Sequence, residues 1–198
     1  MTTQQGLDLT LTPRARADVA EPSASDEFYT PRAIIDALTC VIDLDPFSPP
    51  HRPVPARTHC VWAEGADGFD AVWRGVIWGN PPYSRGNLPA FCSKARGEVA
   101  RGDASIVIGL IPAKPGSGYW HDHVLGHATI GYVRGRIAFH DRHGQPFRDA
   151  KGNVQAGKFD SAFVLWSLDS GLVERVVSDL DARSGLSIYW QRENKGAV

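Results

Sequence analysis

The run Ser105-Ile106-Val107-Ile108-Gly109-Leu110-Ile111 constrains the fold more than any other segment. Apolar residues stand at both odd and even positions. A strand built from them must bury both faces, as the central strand of a parallel sheet covered by helices does. Residues 75–79 (GVIWG) read as another short buried strand, and 41–44 and 58–62 as shorter ones. Further strands are expected at 129–133, 137–139, 162–166 and 187–190. Helical patterns separate them: one opening at Pro31 with Thr30 as its cap, then 88–101, 119–125 and 172–180. Strands alternating with helices predict an α/β sheet, covered on both faces and mostly parallel, parallel at least in its centre.

The chain has 198 residues, which suits one domain with one core. Residues 1–25 are polar and without periodicity, so a disordered N-terminal tail is expected; 26–192 read as the domain and 193–198 as a C-terminal tail. No internal repeat is read from the chain. No apolar run approaches the roughly 20 residues of a membrane helix, and the N-terminus lacks the basic start and apolar core of a secretory signal. A cytosolic protein is expected. Cys40, Cys60 and Cys92 are odd in number and widely spaced, which fits free thiols better than a disulfide framework.

Asn80-Pro81-Pro82-Tyr83 carries the most chemistry. It follows a buried strand and precedes a helix, and open α/β sheets bind ligands beyond the carboxyl ends of their strands. The Asn80 side-chain oxygen and the Pro81 carbonyl are two acceptors held close together, the second kept in direction by the double proline. Set against the two hydrogens of an aromatic exocyclic amine, they would favour a tetrahedral nitrogen and return its lone pair. Tyr83 offers a flat face to an extruded base. If the methyl donor is a sulfonium, alignment is the remaining task, and neither metal nor covalent intermediate is required.

Net charge is −1, little for a nucleic-acid binder. The charge is uneven, however. Between residues 134 and 158 stand Arg134, Arg136, Arg142, Arg148, Lys151 and Lys158 against Asp141 and Asp149, a local excess of four positive charges in a glycine-rich stretch. This is the candidate DNA contact.

Several segments together resemble the phage-type DNA N-6-adenine methyltransferase (Dam) family: DEFYTP at 26–31, VIDLDPFS at 41–48, WGNPPYS at 78–84, LIPA at 110–113, WHD at 120–122, VRGRIAF at 133–139 and FDS at 159–161. The resemblance spans roughly residues 26–167. It implies a Rossmann-like methyltransferase fold, S-adenosylmethionine as cofactor, N6 methylation of a flipped adenine in double-stranded DNA, and phage or prophage origin in the cytoplasm of a bacterial host. It also implies that Phe28, Tyr29, Thr30 and Pro31 border the cofactor, that Asp45, Pro46 and Phe47 form its main loop, and that Asn80, Pro81, Pro82 and Tyr83 are the catalytic motif. An acidic residue at a strand's carboxyl end can pair with the cofactor's ammonium or ribose hydroxyls; both Asp43 and Asp45 stand as candidates. No obligate protein partner is evident.

Competing readings are a methyltransferase on cytosine N4, RNA adenine or a protein glutamine, and a non-catalytic DNA-binding module. His121, His123 and His127 lack a clear further ligand and are not expected to hold metal. Gly116-Ser117-Gly118 lacks the full phosphate-loop pattern and reads as a turn. The six tryptophans are expected mainly in the core.

Overall fold

A computed structural model describes residues 28–84, 86–141 and 143–192; the expected tails at 1–25 and 193–198, and Arg142, lie outside the described residues. Among the described residues are seven strands, β1 (Leu44–Asp45), β2 (Thr58–His59), β3 (Gly75–Gly79), β4 (Ala104–Pro112), β5 (Thr129–Val133), β6 (Ser161–Trp166) and β7 (Ile188–Gln191). Four α-helices accompany them among the described residues, α1 (Arg32–Ala37), α2 (Asn87–Ala100), α3 (Gly118–His123) and α4 (Ser170–Arg183). The strands form one sheet in the order β2-β1-β3-β4-β6-β5-β7.

The run that constrained the fold is β4, at the middle of this order. Its alternate side chains divide the protein. Ile106, Ile108 and Leu110 join one core with Ile34 and Ile35 of α1 and Val176 and Leu180 of α4. Val107 and Ile111 join the other with Phe91 and Ala95 of α2 and Trp120 of α3. Both faces are therefore dry. At about 1.5–3 kcal/mol for each large apolar side chain buried, this strand alone contributes strongly to folding.

The parallel core is as expected, running from β2 through β1 and β3 to β4. Beyond β4 the pairings are antiparallel, so the sheet as a whole is mixed. The connection explains why. No crossover helix follows β5; residues 134–160 leave one end of the sheet and return at that same end, which makes β6 antiparallel to β5.

Several local readings need correction: of the expected strands at 41–44 and 58–62, only Leu44–Asp45 and Thr58–His59 are strand, and Trp62–Glu64 form a short 3-10 helix. Residues 137–139 are not a strand. They are an extended segment bonded to neighbouring loops, with Gly157 N–H donating to Ile137 O at 2.8 Å, and Ile137 and Phe139 buried. Thr30 does not cap α1: Pro31 occupies the cap position, and no side-chain bond closes that end. The chain also holds a short repeat that the sequence reading missed, described below. Trp73, Trp78, Trp120 and Trp166 are core residues as expected, whereas Trp62 is 39% exposed.

Candidate active site

A cavity of about 380 Å³ opens beyond the carboxyl ends of β1 and β3, within the usual size of a small-molecule site. Three predicted segments meet in its wall. Phe28, Tyr29 and Thr30 come from the extended segment before α1; Asp45, Pro46 and Phe47 come from the end of β1; Asn80 and Pro82 follow β3. Pro31, Pro81 and Tyr83 stand outside the wall.

The two candidate acids separate. Asp43 lies in a different depression, where its carboxylate pairs with Arg57 at 2.7 Å and accepts from Val76 N–H at 2.9 Å. Asp45 is in the cavity wall and only 3% exposed. Burial pushes its carboxyl up to about 6, against the opposing pull of the Phe47 amide, His59 and Ser48. Its Oδ1 accepts the Phe47 N–H at 3.2 Å, which closes the Asp45-Pro46-Phe47 turn. A buried acid held near its ionisation point is poised to receive a cation or hydroxyl donors.

The wall also includes Trp62, Asp67, Gly68 and Phe69, which are not among the expected site residues. Gly68 is required by close approach, because a Cβ there would meet the Pro46 carbonyl oxygen at 1.8 Å. Phe47 packs its ring 4.9 Å from that of Phe69.

Asn80 is held from several sides. Its Nδ2 donates to the Phe28 carbonyl at 2.7 Å and to Thr30 Oγ1 at 3.3 Å. Its Oδ1 accepts from the Tyr83 hydroxyl at 2.7 Å, and that hydroxyl also lies 3.2 Å from Leu110 O. Burial pushes the Tyr83 hydroxyl well above the usual tyrosine range, so it remains protonated and a donor. The Tyr83 ring is nearly parallel to that of Phe28, with centroids 6.4 Å apart and planes at 14°. Phe28 also meets Phe139, Phe147 and Phe159 edge-on. These last three come from the 134–160 excursion, which is thereby packed against the Asn80 motif.

That excursion contains the repeat. Asp141-Arg142-His143-Gly144-Gln145 is followed eight positions later by Asp149-Ala150-Lys151-Gly152-Asn153. In the first turn Asp141 Oδ1 accepts from the backbone of His143 and Gln145 at 2.8 and 3.0 Å. In the second, Asp149 Oδ1 accepts from Lys151 and Asn153 at 2.8 and 2.9 Å. Gly144 and Gly152 take positive φ, 71° and 84°, which favours glycine. Backbone donors, Gln145 first, hold Asp141 below the ordinary carboxylate range, and the Asn153 side chain, then the backbone donors, do the same for Asp149. Two identities, aspartate and glycine, and one amide similarity carry the repeat.

Of the basic residues predicted here, Arg134, Arg136, Arg148, Lys151 and Lys158 are exposed. Arg136 lies 3.4 Å from Asp160, and Arg148 donates to Gly152 O at 2.7 Å, within its own turn. Arg134, Lys151 and Lys158 carry no ion pair among the described residues. Lys114, at the end of β4, stands over the Phe159 ring at 5.9 Å and adds a positive charge beside the aromatic cluster. Among the described residues no group of three or more His, Cys, Asp or Glu side chains could hold a metal ion, and no helix is long and apolar enough to cross a membrane.

Comparison with known proteins gives one family match. The model of the family described as DNA N-6-adenine-methyltransferase (Dam) covers residues 19–170, which takes in the cavity, the Asn80 motif and the basic excursion. No curated protein and no solved structure gives a significant match.

Proposed function

The chain belongs to the DNA N-6-adenine-methyltransferase (Dam) family, and from that premise we propose that it methylates the exocyclic amine of a flipped adenine in double-stranded DNA, with S-adenosylmethionine as donor. One observation carries the reading: the motif residue Asn80 and the buried acid Asp45 share the wall of a single cavity. In this reading the fold is the Rossmann-like methyltransferase type, and its parallel half presents that cavity where such sheets bind ligands.

The residues fit the cofactor. No lysine or arginine lines the cavity among the described residues, so a ligand ammonium or hydroxyl pair would complete the buried Asp45. Phe47, Trp62 and Phe69 provide apolar and aromatic wall for a purine. When bound, S-adenosylmethionine supplies an activated methyl group on a sulfonium.

The protein's own residues then bind and orient the amine. Asn80 Oδ1 has one lone pair engaged by Tyr83 and one left to accept an amine hydrogen. The Pro81 carbonyl, to which nothing donates among the described residues, accepts the other. Tyr83 and Phe28 supply aromatic surface beside them. Arg134, Lys151 and Lys158 contact backbone phosphates, and the cytoplasmic, phage or prophage setting implied by the resemblance goes with this role.

The test is mass analysis of nucleosides from duplex DNA incubated with protein and cofactor. N6-methyladenine is expected from the wild type, with near-complete loss in Asn80→Ala while S-adenosylhomocysteine binding survives. Methylation undiminished in Asn80→Ala, or methyl groups appearing only on another base, refutes the proposal. For the DNA contact, changing Arg134, Lys151 and Lys158 together to Ala should lower the slope of log affinity against log salt by roughly three. An unchanged slope removes the assignment.

A further inference from the structure

From the geometry around Asn80 we infer that Thr30 is a positioning residue: its hydroxyl, together with the Phe28 carbonyl, sets the orientation of the Asn80 carboxamide. The inference rests on the proposed role of Asn80 for its catalytic consequence, though not for the anchoring itself.

A carboxamide has two N–H donors and two acceptor lone pairs. The Asn80 Nδ2 donates into the segment before α1, to Phe28 O at 2.7 Å and to Thr30 Oγ1 at 3.3 Å. Turning the group over would place its oxygen against the Phe28 carbonyl, acceptor on acceptor, so the Phe28 bond decides which end faces where. Without the Thr30 hydroxyl the carboxamide loses one of its three anchors and is held only by the Phe28 carbonyl and the Tyr83 hydroxyl. The oxygen aimed at the amine is then oriented less tightly, and orientation at the reacting atom governs rate.

Nothing else claims the Thr30 hydroxyl among the bonds described. The sequence suggested a helix cap, yet α1 has no side-chain cap bond and Pro31 holds the cap position. Thr30 is 7% exposed, in the cavity wall. Its segment is also fixed from behind: Tyr29 N–H donates to His140 O at 3.0 Å, and His140 N–H returns to Tyr29 O at 2.9 Å. The anchor of Asn80 is therefore tied by one antiparallel bridge to the excursion that carries the basic turns.

Two variants and two readouts test this. Thr30→Val keeps the shape and removes the hydroxyl; Thr30→Ser keeps the hydroxyl. In cofactor-free protein, the side-chain NH2 signals of Asn80 in a ¹H–¹⁵N spectrum, identified by their loss in Asn80→Asp, should shift in Thr30→Val and return in Thr30→Ser. With duplex DNA and saturating cofactor, kcat should fall roughly five- to tenfold in Thr30→Val, with KM for DNA within about twofold of wild type, and Thr30→Ser should recover most of the loss. Thr30→Ala is carried alongside in case valine disturbs the Tyr29–His140 bridge. Unmoved Asn80 signals in both hydroxyl-free variants, or Thr30→Ser as impaired as Thr30→Val, overturns the inference. A wild type that makes no N6-methyladenine while the Asn80 signals respond as described supports the anchoring and sinks the proposed reaction instead.

Discussion

Asp45→Asn separates what the fold wants at this position from what the proposed function wants. The Asp45 carboxyl is buried and rises from an ordinary value of 3.8 to about 6. The folded protein therefore binds a proton more tightly than the unfolded chain. The sign follows: the contribution to stability is fully present below pH 3.8 and is lost as pH rises through about 6. At pH 7 keeping this group ionised costs the fold about 3 kcal/mol, at pH 5 about half that, and at pH 4 about 0.6 kcal/mol. Asparagine has the same shape and no charge, and it can still accept the Phe47 N–H. Any hydrogen-bond difference between the two side chains is nearly constant with pH, so it cancels when their stabilities are compared across pH. Urea unfolding of both proteins at several values from pH 4 to pH 7 should show Asn gaining on wild type by about 2 kcal/mol over that interval. Isothermal titration should show S-adenosylhomocysteine affinity lost in the same variant. A stability difference that does not change with pH would refute the claim that the Asp45 carboxylate is buried at a cost to the fold.

Three further outcomes are expected. Gly68→Ala forces a Cβ toward the Pro46 carbonyl, so stability in urea should fall by about 1–3 kcal/mol and S-adenosylhomocysteine binding should weaken with it; a neutral effect on both would mean the loop is free to move. Glu98 is buried and pairs with Lys94 at 2.6 Å and Arg101 at 2.8 Å, so Glu98→Ala leaves the mostly buried Lys94 ammonium without its carboxylate and should cost about 3 kcal/mol in urea unfolding, whereas a loss below about 1 kcal/mol would show the pair to be dispensable. Asp149→Ala removes the acceptor that closes the second basic turn; limited trypsin digestion should cut faster after Lys151 with the global unfolding midpoint little changed, and an unaltered cleavage rate would contradict the turn's dependence on Asp149.

Sequence patterning determined the parts of this protein that depend on burial and local chemistry. The 105–111 run could only be a doubly buried strand, β3 and β5 have the bounds that their apolar residues suggest, and the Asn80 motif announced itself by composition and by its place after a strand. These are local properties, written in the identity of neighbouring residues. Only tertiary structure decided which aspartate faces the cavity, since Asp43 and Asp45 point to the same side of a strand by periodicity and part company only where the Pro46 turn meets Gly68. It also gave Thr30 to Asn80 rather than to a helix end, across fifty positions of chain, and turned β6 against β5 because the excursion between them carries no helix to cross over. Pairings of that kind are chosen by competition among distant partners for the same hydrogen bonds and the same buried space. No local window contains the competitors.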